Sequence, residues 1–170
     1  MSAAKITVIL LLGIAVNSYS QVDKATFGLG IGLDYGGFGA NFSVYPAKNF
    51  GLFGGAGYAL AGVGYNVGAK IRFMSETSRI VPFLNGMYGY NTAFVVTNAT
   101  QYNKFFYGPS VGFGFDFHKP RRNGYLSLGL VIPIRGSDVD NYIADLRSQG
   151  IVISNPSPVA LSIGYRFILQ

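Results

Sequence analysis

The 170-residue chain has no cysteine, a single histidine (His118), and only 12% charged residues. Without cysteine, neither a disulfide framework nor a thiolate metal site is available. So low a charge content is unusual for a soluble enzyme. Beyond residue 20 no apolar run approaches the roughly 20 residues that a transmembrane helix needs. An exported chain without disulfides or membrane helices must be stabilised another way, and a closed, hydrogen-bonded barrel is one.

What the chain has is glycine (24), phenylalanine (14) and tyrosine (12). Its first twenty residues read as a signal peptide. Lys5 supplies a positive start, Ile6 to Val16 an apolar run, and Ser18-Tyr19-Ser20 small residues at the two positions a signal peptidase reads, for cleavage before Gln21. The alternative, an N-terminal anchor, is disfavoured because the run is too short to span a bilayer. Residues 21–170 then form one domain by length.

Period-two patterning marks eight strands at about 24–34, 37–46, 49–60, 62–73, 80–91, 104–117, 124–134 and 158–169. In the first, Phe27, Leu29, Ile31 and Leu33 oppose Thr26, Gly28, Gly30 and Gly32. In the seventh, Leu126, Leu128, Leu130, Ile132 and Ile134 oppose Tyr125, Ser127, Gly129 and Val131. The fifth is the least regular, because Pro82 and Phe83 blur its two faces. Each strand has the length that a tilted strand needs to cross a bilayer, roughly 9–11 residues with some overhang. The expected fold is all-β, an eight-stranded antiparallel up-and-down transmembrane β-barrel.

Which face points outward separates a membrane barrel from a soluble, lipocalin-like one. Eight strands enclose an interior that just holds side chains, so the bulky set would overfill it. The Gly, Ser and Asn set would also make a poor soluble surface. Turned outward, the bulky set meets lipid. Aromatic placement agrees. Tyr35, Phe38, Tyr58, Tyr88, Tyr90, Phe105 and Tyr107 gather near one end, and Phe27, Phe50, Phe73, Phe115, Phe117, Tyr165 and Phe167 near the other. Between them the middles are aliphatic, Phe113 excepted. Two girdles around an aliphatic belt match two membrane interfaces.

With both termini periplasmic, the turns Pro46–Lys48, Met74–Arg79 and His118–Asn123 are short. The outer connections are tight turns at Asp34–Gly36 and near Ala61, then the long loops Asn91–Asn103 and Arg135–Ser157. Short turns inside and long loops outside are the usual asymmetry.

The last strand adds a more specific signal. Ser162-Ile163-Gly164-Tyr165-Arg166-Phe167-Ile168-Leu169 follows the order polar, any, Gly, any, any, hydrophobic, any, hydrophobic. It resembles the C-terminal signal of bacterial outer-membrane barrels, with one polar residue, Gln170, beyond it. Together with Val44-Tyr45-Pro46 and Tyr107-Gly108-Pro109-Ser110-Val111-Gly112-Phe113-Gly114, it makes the chain similar to the small outer-membrane β-barrel domain family. The resemblance implies an outer-membrane location and recognition by the barrel assembly machinery through Ser162, Gly164, Phe167 and Leu169. It implies no single activity, because one fold hosts many functions.

Inside the barrel, Lys24, Lys70, Arg72, Asp116 and Arg166 are expected near the periplasmic end, four bases to one acid. Buried charges require partners, so this cluster reads as a structural network with Asp116 as its hub, or as a basic vestibule for anions. An open pore is not expected, since Tyr45, Phe53, Phe83 and Tyr125 also point inward. The periplasmic end of the chain is basic, including His118-Lys119-Pro120-Arg121-Arg122. In an exported barrel its partners are lipid phosphates of the inner leaflet rather than nucleic acid; a plain solvated turn is the alternative.

In the last outer loop, Val139, Tyr142, Ile143 and Leu146 recur at helical spacing, with a capping Ser137 or Asp138 and a terminating Gly150. They predict a short helix at about 138–149 whose apolar stripe either folds over the barrel mouth or faces a partner. Asp138, Asp140 and Asp145 fit no calcium-loop spacing. His118 falls at a periplasmic turn, and the expected interior holds Asp116 alone, so no catalytic residue, metal site or cofactor site is assigned. Two functions are expected, in this order. The first is a structural or interaction role, with outer-membrane lipids and another outer-membrane protein as partners. The second is a narrow conduit for small or apolar solutes.

Overall fold

The computed structural model describes residues 24–59, 62–74, 78–94, 102–119, 123–151 and 153–169. The expected signal peptide, Gln170, and parts of several turns, Arg121 and Arg122 among them, lie outside the described residues. Eight strands form the sheet: β1 (Ala25–Gly32), β2 (Gly37–Ala47), β3 (Phe50–Tyr58), β4 (Val63–Arg72), β5 (Ile80–Phe94), β6 (Lys104–His118), β7 (Gly124–Pro133) and β8 (Ala160–Leu169). Each pairs antiparallel with its neighbour in sequence, and β1 pairs with β8, from Ala25 opposite Leu169 to Ile31 opposite Ile163. The sheet is thus a closed up-and-down barrel with no free edge around its body.

The period-two pattern decides the faces. Phe27, Leu29, Ile31, Phe42, Leu52, Val67, Leu84, Val111, Phe113, Leu126 and Ile163 are all exposed on the outer wall. The alternate positions, among them Thr26, Asn41, Ser43, Asn66, Lys70, Asp116 and Arg166, are buried inside. This is the reverse of a soluble barrel, whose large apolar residues turn inward. In β5 the ambiguity resolves with Phe83 buried in the lumen and Pro82 on the outer side.

We call the end where β1 begins and β8 finishes the base, and the other end the crown. At the crown, β5 and β6 run on together beyond their neighbours, with Phe94 opposite Lys104 after a bulge at Tyr90/Thr92. β5 is therefore longer than its sequence pattern predicts. Helix α1 (Ser137–Ser148) accounts for the extra length, because Val139 and Ile143 pack on Phe94 and Phe106 of the extension.

One connection departs from expectation. The segment between β1 and β2 is not an outward turn. Leu33–Tyr35 form a single 3-10 turn whose three residues are all buried. Gly32 (φ 148°) and Gly36 (φ 69°), in conformations that other residues adopt at a cost, reverse the chain into the lumen. Glycines lining this quarter of the inner wall leave the room that the turn occupies. A Cβ at Gly39 or Gly57 would strike the Tyr35 carbonyl oxygen, at 2.5 and 2.6 Å.

Candidate functional site

The lumen holds two polar networks and a small apolar core. In the first network, the Lys70 ammonium donates to both oxygens of Asp116, at 2.9 and 2.7 Å. The Ser127 hydroxyl donates to Asp116 Oδ1 at 2.7 Å. Arg72 Nε stands 3.7 Å from Asp116 Oδ2, and its Nη2 donates to the Tyr125 hydroxyl at 2.7 Å. The Arg72 guanidinium lies 3.8 Å above the Tyr45 ring centre and the Lys70 ammonium 3.6 Å above that of Phe83. Aromatic faces thus supply attraction where a second carboxylate is missing. Leu33, Phe53, Met87 and Val131 form the small apolar core, which adjoins the second network through Leu33 of the inward turn.

The second polar network is built on the inward turn. Asp34 accepts from Arg166 Nη2 at 3.1 Å and from the Ser162 hydroxyl. Arg166 Nη1 also donates to Asn41 Oδ1 at 2.7 Å and to Ser43 Oγ at 2.8 Å. The backbone of the turn is held from the wall. The Asn41 amide donates to the Asp34 carbonyl at 2.6 Å, and the Asn66 amide to the Leu33 carbonyl at 2.6 Å. The Tyr35 ring lies in a slot of glycines. A Cβ on Gly30 would come within 2.8 Å of its Cζ, and one on Gly28 within 3.3 Å of its Cε1.

Several expectations are corrected here. Lys24 is exposed at the base and takes no part in the interior cluster, because it precedes the first wall residue of β1. Lys70, Arg72, Asp116 and Arg166 are all buried in the lumen, but Arg166 serves the second network through Asp34. Asp116 is therefore not the lone interior acid: among the described residues three buried cations face two carboxylates. Asp34 belongs inside rather than among the crown charges, and Tyr35 is fully buried rather than part of an aromatic girdle. A sequence clue to Asp34 existed, since one carboxylate among four bases left too much buried positive charge uncompensated.

Of the other named residues, Ser162 and Gly164 face the lumen, one bonded to Asp34 and one beside Tyr35. Phe167 and Leu169 face outward and are exposed, and the Tyr165 and Phe167 rings meet edge-on with centres 5.0 Å apart. His118, at the base end of β6, stacks on Tyr125 with ring centres 4.3 Å apart.

At the crown, Val139, Ile143 and Leu146 are buried and Tyr142 stacks on Phe94 and Phe106. The helix stripe is thus packed within the chain, with Val139, Tyr142 and Ile143 against the β5–β6 extension rather than across the barrel mouth. The Tyr142 hydroxyl donates to the Tyr102 carbonyl at 2.5 Å; burial, with Asp145 adding, raises it above the ordinary phenol range, so it remains a donor. Arg135 fastens the start of the loop, donating to Thr92 Oγ1 at 2.8 Å and to the Ser157 carbonyl at 2.6 Å.

No protein-family model matches the chain, and no curated protein matches it.

Proposed function

We propose that the chain is an exported outer-membrane β-barrel with a closed lumen, acting not as an enzyme but in a structural or interaction role. The observation that carries this is its inversion. An apolar wall surrounds the whole barrel, while charges, amides and an inward-folded turn fill the inside. In water that wall would be an exposed apolar patch far beyond the few hundred Å² that monomers tolerate. In a bilayer it is the required surface, because closure leaves no backbone group unpaired in lipid.

The crown supports the interaction role in its sharper form, an accessory subunit of a larger outer-membrane complex. On one flank the β5–β6 ribbon and α1 rise as a packed unit. On the other, β2, β3 and β4 stop low and expose Phe38, Tyr58, Val63 and Tyr65 near their ends. A low, aromatic flank beside a raised one suits lateral docking. Purification from native membranes in mild detergent, with identification of co-purifying proteins, tests this. A stable partner is expected; a lone monomer excludes the subunit role.

The conduit has less support. The 3-10 turn, Tyr45, Phe53, Phe83 and Tyr125 occupy the lumen that a solute would traverse. Silence in planar-bilayer recordings, in the full chain and after deletion of 138–149, is the expected result.

A further inference from the structure

We propose that the outer wall over β6, β7 and β8 carries a seat for one anionic phospholipid, its acyl chain in a groove along β7 and its phosphate at the basic base rim. The proposal rests on the membrane reading above and adds a specific ligand to it.

The groove has a volume of about 320 Å³ and is lined by Phe113, Phe115, Leu128, Leu130, Leu161 and Ile163. Its shape follows from the register. Phe115, Leu128 and Ile163 form one cross-strand row, and Phe113, Leu130 and Leu161 the next. In both rows the β7 leucine is only half-exposed, while its neighbours stand clear, Leu161 at 76% and Ile163 at 49%. A trough thus runs along β7 between a phenylalanine bank and an aliphatic bank, wide enough for a flexible apolar chain. The banks of the trough are hydrocarbon, and the hydroxyl of Ser162, which also lines it, is turned to Asp34 on the lumen side, so the trough offers little to a polar ligand.

Selectivity comes from the end of the trough. From Leu128 to Asn123, where β7 meets the base, is roughly 16 Å of strand rise. Strand tilt brings that within the depth of one leaflet's hydrocarbon, roughly 15 Å. At that rim the exposed charges among the described residues are all basic. Arg79 and Lys119 lie on the β6 side, where the His118 amide donates to the Arg79 carbonyl at 2.8 Å, and Lys24 lies beside the β1–β8 seam. The Tyr165 ring stands at the same level, beside Gly124, as an interfacial aromatic. The charge of the rim and the hydrocarbon of the trough therefore complement the two ends of a single molecule, an anionic phospholipid.

The test is native mass spectrometry of the refolded chain released from nanodiscs of mixed phosphatidylglycerol and phosphatidylcholine. Heat-modifiable migration first establishes that each variant has folded. Wild type is expected to retain one phosphatidylglycerol in preference to phosphatidylcholine. Leu128→Phe with Leu130→Phe, which fills the trough without changing charge, should lose the retained lipid. Arg79→Gln with Lys119→Gln should retain lipid but lose the preference. Equal retention of both lipids by wild type, retention unchanged by trough filling, or a second copy of the chain in place of the lipid would overturn the seat. Failure to insert into any lipid would instead overturn the membrane reading on which it rests.

Discussion

Asp116 and Gly164 concentrate the energetics of the lumen. The Asp116 carboxylate is fully buried and is shared by Lys70, Arg72 and Ser127. Removing one partner of such a network leaves uncompensated buried charge, typically a loss of about 3–5 kcal/mol. Asp116→Ala should lower the urea midpoint of the folded barrel accordingly, while Lys70→Met with Asp116→Leu should recover most of the loss. A midpoint unchanged by Asp116→Ala would mean the cluster is hydrated rather than ion-paired. Glycine offers a second contrast. A Cβ at Gly164 would overlap the Tyr35 ring and come within 2.8 Å of the Leu29 carbonyl. At Gly129 the nearest atom would be 3.5 Å away, ordinary contact. Gly164→Ala should therefore destabilise the barrel and Gly129→Ala should not; equal midpoints would argue that Tyr35 does not occupy the slot. These contacts were illegible in sequence. That Tyr35 fills the space beside Gly30 and Gly164 depends on which residues meet across a closed barrel, and local pattern carries no such information.

Single elements were more legible. Helical spacing of Val139, Tyr142, Ile143 and Leu146 predicts a helix at about 138–149, and α1 spans Ser137–Ser148. Its docking site was not legible, because Phe94 and Phe106 lie in a stretch that sequence reads partly as loop. Since α1 is held by that apolar contact, Ile143→Asp should expose residues 137–149 to limited proteolysis while the barrel body remains heat-modifiable. Unchanged cleavage would show that the Arg135 and Tyr142 hydrogen bonds suffice. For β8, the resemblance to an assembly signal joins with an outward, exposed Phe167. Phe167→Asp should abolish membrane assembly, through lost recognition and a charge at the bilayer interface. Deletion of Gln170 should be tolerated. Wild-type assembly of Phe167→Asp would refute the signal.

Across the whole molecule, the alternation of apolar and small or polar residues sufficed for strand number, order and closure. Period two assigns every wall residue to a face, and eight strands can close only with the smaller set inside. The plug was missed for the same reason that the strands were found. Leu33 and Tyr35 continue the odd-numbered apolar run of the first strand, which period two places on the outer wall; their burial is a property of the closed barrel rather than of their own neighbourhood. That the large outward set faces lipid is the central claim, and the cysteine-free sequence allows it to be read directly by spin labelling. Single cysteines from Leu126 to Ile132 along β7 would carry the label in the membrane-reconstituted chain, with accessibility measured to oxygen, which concentrates in lipid, and to a water-soluble nickel chelate. A membrane barrel predicts high oxygen and low nickel accessibility at Leu126, Leu128, Leu130 and Ile132, and low values for both at Ser127, Gly129 and Val131. High nickel accessibility at the even-numbered positions would contradict it and make the chain a barrel in water.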